Sequence, residues 1–210
     1  MADDLILWGT GTSRTMRPHW MLLELGQEYI TRPIKARTGE TLAPEFRRIN
    51  PRHKIPVLRH GSFTIAESAA IVQYLADTFP SPSIHAPVDA AGRAVLNEWC
   101  YFIMTELDAA SLYTVRRHLG LKHIYGEAPT AVDAAKKYFA HNLEAMAPRI
   151  GIETPFLLGS RLSAADILLT TCLDWAIAEG LALPDSVMEY RRRMTRRPAY
   201  RDAFARNYAD

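Results

Sequence analysis

The stretch from Asn50 to Tyr74, N-P-R-H-K-I-P-V-L-R-H-G-S-F-T-I-A-E-S-A-A-I-V-Q-Y, constrains the fold of this chain more than any other. Pro56 breaks an extended segment. Val57 to Arg59 and Phe63 to Ile65 then read as the two strands of a hairpin, with His60-Gly61 as the turn. Ile71, Tyr74 and Leu75 stand at i, i+3 and i+4, so a helix starting near Glu67 lays an apolar stripe on the hairpin. Glu67-Ser68 is placed to cap that helix.

A helix N-terminus offers unpaired N–H groups and partial positive charge, so Ser68 Oγ and the nearby amides can hold a carboxylate. Glu67 can take an ammonium beside it, and a group with both charges on one carbon is an amino-acid head. The plainer alternative is that the pair satisfies only the helix's own first turn. Pro56 adds to the first view. A proline at a strand entrance is sometimes cis, which turns the preceding backbone outward. Ile55 then presents its N–H and C=O to a peptide-like ligand.

K-I-P-V-L followed by E-S-A-A-I resembles the cytosolic glutathione transferase superfamily, and most nearly a serine-type, theta- or zeta-like bacterial member. The resemblance implies a cis Pro56, an Ile55 that pairs with the cysteinyl backbone of glutathione, and a Glu67-Ser68 pair on its γ-glutamyl end. Lys54 matches a lysine that helps hold the glutathione backbone in theta-type relatives. The expected fold is an α/β thioredoxin-like N-terminal domain followed by an all-α helical domain.

The order of elements agrees. Leu5 to Trp8 is a short apolar run ending at Gly9, as a buried strand would. A hydroxyl-rich loop, G-T-G-T-S-R-T, leads into a helical pattern closed by Gly26, with Pro18 inside its first turns. Tyr29 to Ile34 reads as a second strand and Pro44 to Ile49 as a helical turn. F-P-S-P-S-I-H-A-P-V, Phe79 to Val88, breaks the pattern, which places the first domain at 1–79, a linker at 80–90 and the helical domain at 91–210.

Beyond the linker, Leu96, Trp99, Cys100, Ile103 and Leu107 share one helix face, as do Ala135, Phe139, Leu143, Met146 and Ile150. The segment from Ala164 to Ile177 is apolar nearly all round and is expected at the centre of the second core. Its start, G-S-R-L-S-A-A-D-I, lets Ser163 and Asp166 exchange cap hydrogen bonds. This resembles the capping box of the glutathione transferase second domain.

A net charge of +2 on 210 residues gives no electrostatic reason to expect nucleic acid or a membrane surface. The most apolar stretch, Ala164 to Pro184, carries Asp166, Asp174 and Glu179, which lipid would disfavour. The acidic start M-A-D-D shows no signal peptide, so a cytoplasmic location is expected. Cys100 and Cys172 read as buried, inert thiols, and the histidines show no metal-ligand spacing, so no metal is expected. Seven arginines between Arg191 and Arg206 read as helix-end and solvated charges.

The resemblance also assigns the chemistry. With glutathione on Lys54, Ile55, Pro56, Glu67 and Ser68, its sulfur falls at the loop between the first strand and first helix, residues 9–17. A thiol of pKa about 8.5 is mostly protonated at neutrality, and lowering it by about two units takes roughly 2.7 kcal/mol of thiolate stabilisation. Thr10, Thr12, Ser13 and Thr15 all lie in the window. The spacing S-x-x-x-R from Ser13 to Arg17 matches the theta and zeta types, so Ser13 is the expected catalytic residue, with Thr15, Thr12 and Arg14 as alternatives. Ser13 and Thr15 can equally be N-caps of the helix.

No tyrosine or cysteine occupies that loop, which sets aside the tyrosine-type and cysteine-type classes. The expected function is attack of the glutathione thiolate on a small hydrophobic electrophile, as in detoxification. By position in the family, Met104, Leu112, Tyr113 and Arg116 or Arg117 would lie near the second substrate. A zeta-like glutathione-dependent isomerase and a non-catalytic glutathione-transferase-like interaction protein are the alternatives. Family dimers imply a homodimer.

Overall fold

The computed structural model describes residues 5–209, so the acidic start Met1 to Asp4 lies outside the described residues. The chain forms two compact units, one made of the residues up to Ala86 together with those from Arg196, the other of Pro87–Thr195. The sequence places all of 91–210 in one helical domain, but the described residues from Arg196 onward group with the first unit.

In the first unit, strands β1 (Leu5–Thr10), β2 (Ile30–Lys35), β3 (Val57–His60) and β4 (Phe63–Ala66) form one sheet in the order β2-β1-β3-β4. β1 runs parallel to β2 and antiparallel to β3, and β3 pairs antiparallel with β4. Leu5, Ile6 and Leu7 are all buried, as a continuous apolar run on an interior strand requires. Pro33 falls on β2, an edge strand, where a missing N–H costs no ladder bond.

The hairpin turn is Gly61-Ser62, one residue later than the sequence suggests. His60 pairs with Phe63 at the end of the ladder and its Nδ1 lies 2.8 Å from Tyr74 Oη, while Gly61 takes the left-handed φ of 57°. Helices α1 (Ser13–Glu24), α2 (Pro44–Ile49) and α3 (Ser68–Thr78) complete the βαβ and ββα order. Pro18 sits six residues into α1, past the first turn, so it gives up the hydrogen bond that an N–H there would make to Arg14. Burial compensates, since every residue from Thr15 to Leu22 is buried.

Helix α10 (Pro198–Asn207) belongs to this unit and runs antiparallel to α1. Arg197 at its start forks onto Glu24 at the end of α1 (2.6 and 2.7 Å), and Trp20 meets Tyr200 edge to face at 5.0 Å. Arg206 lies over the Tyr29 ring at 4.9 Å. Two arginines of the C-terminal run, Arg197 at a helix end and the exposed Arg206, therefore make specific contacts within this unit.

His19 is fully buried on α1, with Nε2 3.2 Å from Gly9 O and Nδ1 2.7 Å from Tyr29 Oη. A carbonyl only accepts, so Nε2 carries the proton and the Tyr29 hydroxyl donates to Nδ1. Burial, aided by the Arg206 charge, lowers this imidazole from 6.5 to about 4, against the pull of the Gly9 bond. The unfolded chain therefore binds the extra proton first. Stability is intact above pH 6.5 and falls as pH drops from there towards 4, by roughly 3 kcal/mol in all. Chemical denaturation across that range should show the loss, and His19→Phe, which cannot titrate, should remove this part of the slope. Equal slopes for the two proteins contradict it.

The second unit contains α4 (Ala90–Phe102), α5 (Tyr113–His118), α6 (Lys122–Tyr125), α7 (Pro129–Met146), α8 (Ala164–Ala178) and α9 (Asp185–Thr195). Between α4 and α5 the chain stays helical but widens to five-residue turns over Ile103–Leu112, and Tyr113 N–H donates to Asp108 O. The wider turn matches the buried pair Leu107 and Leu112, five apart. The apolar stripes of α4 and α7 are buried as their periodicity predicts, save for Met146, which is half-buried, and α8 is buried from Ala164 to Leu173.

Asp166 anchors the start of α8. Its Oδ2 accepts from Ser163 N–H (2.8 Å) and Ser163 Oγ (2.6 Å), and its Oδ1 accepts from Leu157 N–H (2.8 Å) and Tyr190 Oη (2.7 Å). Burial pushes its carboxyl up, opposed by those four bonds. The capping pattern read from S-x-x-D is present, with two further donors the sequence did not indicate.

Candidate functional site

An open cleft in the first unit is lined by Arg14, Arg52, Lys54, Ile55, Pro56, Ala66, Glu67 and Ser68. Five of the residues picked out from the sequence, Lys54, Ile55, Pro56, Glu67 and Ser68, thus converge on one place. Ser13, the expected catalytic residue, is not among the lining residues; it directly precedes Arg14, which is. Tyr113 belongs to the second unit.

The loop before Pro56 is built by Asn50, which is buried. Its Nδ2 donates to Lys54 O at 2.8 Å and its Oδ1 accepts from Arg52 N–H at 3.1 Å. The Ile55-Pro56 peptide is cis, as the family resemblance implies. Gly9, at φ 114°, lets β1, α1 and this loop meet. A Cβ there would lie 2.7 Å from Ile55 Cβ and 2.8 Å from Thr15 Cγ2.

Glu67 precedes α3 at φ 71° and ψ 114°, a backbone region that costs a non-glycine residue of order 1–3 kcal/mol. Its side chain makes no cap bond and instead pairs with Arg52. Capping by Glu67-Ser68, the plainer sequence reading, does not occur. Ser68 is buried, and Arg17 Nη1 donates to Ser68 Oγ at 3.0 Å. Arginine has only donors, so it occupies a serine lone pair and leaves the hydroxyl proton to be given elsewhere. The first turn of α3 therefore keeps N–H groups and a hydroxyl available to an acceptor in the cleft.

At the neighbouring N-terminus, of α1, the cap is Thr12 and not Ser13. Thr15 N–H donates to Thr12 Oγ1 and Thr12 N–H to Thr15 Oγ1, both at 3.0 Å. Thr10 and Thr15 are buried. Ser13 is half-buried at the first helical position, and the capping box engages neither its hydroxyl nor its N–H. Capping, the competing explanation for Ser13, falls to its neighbours.

Two site residues were missed from the sequence. Arg17 served there only as a spacing marker, yet it is wholly buried and ties α1 to Ser68. Arg52, in P-R-H-K, carried no periodic or motif signal to mark it as the partner of Glu67. Leu112, expected near a second substrate, is fully buried in its own unit. Tyr113 is half-buried, and the Arg117 guanidinium lies 5.9 Å from its ring and 4.5 Å from that of Tyr125. His118 Nδ1 lies 3.0 Å from Gly126 O. Among the described residues, no group of His, Cys, Asp and Glu could hold a metal ion, and no helix is long and apolar enough to cross a membrane.

Residues 3–77 match the family profile described as glutathione S-transferase, N-terminal domain. The chain is 30% identical over 160 residues to the glutathione S-transferase GstA of Escherichia coli O157:H7, covering 75% of each. It is 36% identical over 147 residues to glutathione S-transferase D7 of Drosophila melanogaster and 29% over 149 residues to glutathione S-transferase theta-1 of Rattus norvegicus. These matches cover 69% and 70% of the chain and 62% of each relative. The fold is that of the glutathione transferase URE2P6 from Phanerochaete chrysosporium in complex with oxidized glutathione, at a TM-score of 0.85 and 21% identity, with 98% and 96% of the two chains covered. The glutathione-bound theta class enzyme of Xanthomonas axonopodis pv. citri is similar at a TM-score of 0.80 and 22% identity, with 99% and 98% covered. With its N-terminal domain profile and GstA matched over three quarters of both chains, this protein belongs to the glutathione S-transferase family.

Proposed function

We propose that this protein is a serine-type glutathione transferase that binds glutathione in the cleft of its first unit and presents the sulfur as a thiolate to a small hydrophobic electrophile. The convergence of Lys54, Ile55, Pro56, Glu67 and Ser68 on one open cleft carries this most strongly. Arg14, Arg52 and Lys54 supply positive charge for a ligand with two carboxylates, while Glu67 supplies the negative charge for its single ammonium. Ser68 Oγ–H and the N–H groups of α3 hold the γ-glutamyl carboxylate, and the Ile55 backbone holds the cysteinyl peptide.

Ser13 Oγ–H donates to the sulfur, and the N-terminus of α1 adds partial positive charge. Both favour loss of the thiol proton to solvent. The thiolate then attacks the electrophilic carbon, an S–C bond forms, and the leaving group departs with its electron pair. The protein works as a cytoplasmic homodimer and needs no metal.

The test is retention on immobilised glutathione, release by free glutathione, and a panel of aryl, benzyl and alkyl halides. Thioether products with consumption of glutathione are expected, from a species of about twice the 23.7 kDa chain mass in sedimentation. Failure of retention contradicts the ligand. Turnover that leaves total glutathione unchanged would point to an isomerase instead, and a species at the chain mass removes the dimer.

A further inference from the structure

Asn207, the last residue of α10, is fully buried and bound to a loop 192 residues away in sequence. Its backbone carbonyl accepts from Gly11 N–H at 2.7 Å, its Oδ1 accepts from Thr15 Oγ1 at 2.7 Å, and its Nδ2 donates to Thr12 O at 3.1 Å. One residue therefore grips both the entry to α1 and its capping box.

These bonds also fix where the hydroxyl protons go. Thr15 has one hydroxyl proton and two acceptors in reach, Asn207 Oδ1 at 2.7 Å and Thr12 O at 2.9 Å. Neither oxygen can donate, so the Thr15 proton goes to one or the other and stays within this contact. Thr15 Oγ1 is then an acceptor for Thr12 N–H, and for the Thr12 hydroxyl 3.0 Å away. Both threonine protons are drawn into the cap. The Ser13 hydroxyl alone of these three is not engaged by the capping box.

We infer that Asn207 is a positioning residue for thiol activation, holding the loop at Gly11 to Thr15 so that Ser13, and not Thr12 or Thr15, meets the sulfur. This rests on Ser13 being the activating hydroxyl. The docking of α10 does not depend on Asn207, because the Arg197–Glu24 fork and the Trp20–Tyr200 contact hold the helix farther along.

The experiment compares Asn207→Ala and Asn207→Asp with Ser13→Ala and with Tyr200→Leu, which loosens α10 away from the loop. The midpoint of bound-glutathione thiolate absorbance against pH, kcat and KM for glutathione, and Tm are measured. In Asn207→Ala the midpoint should rise by about half to one unit, with the neutral-pH rate down about three- to tenfold and restored in alkali, and KM within about twofold. Asn207→Asp keeps the acceptor for Thr15, loses the donor to Thr12 and adds negative charge, so its midpoint should rise at least as far. It decides the matter if the alanine variant does not fold. Tyr200→Leu should lower Tm with no change in midpoint. Asn207 variants that lower Tm but keep the wild-type midpoint, while Ser13→Ala moves it, overturn the inference and leave the serine reading standing. A midpoint that Ser13→Ala does not move overturns the serine assignment, and the inference with it.

Discussion

Asp166→Ala should lower Tm by roughly 10 °C or more, the largest stability effect expected from any single side chain described above. The carboxylate is wholly buried and accepts from Ser163 N–H, Ser163 Oγ, Leu157 N–H and Tyr190 Oη. Alanine leaves at least three of those donors without an acceptor in a fully buried site, and each unsatisfied buried donor costs about 1–3 kcal/mol. The lower part of that range, a total near 3–5 kcal/mol, already gives a shift of about this size at about 2–4 °C per kcal/mol for a chain of this length. Tyr190→Phe removes one donor and leaves the acceptor three others, so it should cost about 1 kcal/mol. Thermal unfolding of the three proteins checks the order, and a wild-type Tm for Asp166→Ala contradicts it.

Much of this was legible locally. S-x-x-D announced the Ser163–Asp166 cap because a capping box is closed by residues three apart, and the stripes of α4 and α7 announced a helical core through their 3.6-residue period. Leu157 and Tyr190 lie nine and twenty-four residues from Asp166, and their donation depends on tertiary packing that no period records. The same divide runs through the site. Lys54 to Pro56 and Glu67-Ser68 were readable as a motif, whereas Arg17 on Ser68 and Asn207 on Thr15 join residues 51 and 192 apart.

Errors of one or two residues had local causes. The hairpin turn moved from His60-Gly61 to Gly61-Ser62 because His60 is the last paired residue of its strand. Thr12 took the cap of α1 ahead of Ser13 because Thr15, three residues on, completes a reciprocal box that Ser13 has no partner to match. The widened helix at Ile103–Leu112 carried no glycine or proline to mark it.

Ser13→Ala should have the largest effect on rate. Loss of a hydrogen bond to a charged sulfur costs about 1.5–3 kcal/mol, equivalent to a rise of roughly one to two units in the thiol pKa. The rate at neutral pH should fall about ten- to a hundredfold and recover in alkali, as the thiolate fraction does. Glutathione affinity should stay within a few-fold, because Lys54, the Ile55 backbone, Glu67 and Ser68 hold the rest of the tripeptide. Ser68→Ala should do the reverse, weakening binding while moving ionisation little.

The most direct measurement is the pH titration of ultraviolet thiolate absorbance for glutathione bound to wild type, Ser13→Ala, Thr12→Ala and Arg14→Ala. If Ser13 activates the sulfur, the midpoint rises by roughly one to two units in Ser13→Ala and by much less in the other two. A wild-type midpoint in Ser13→Ala, with the shift appearing in Thr12→Ala or Arg14→Ala instead, would contradict it.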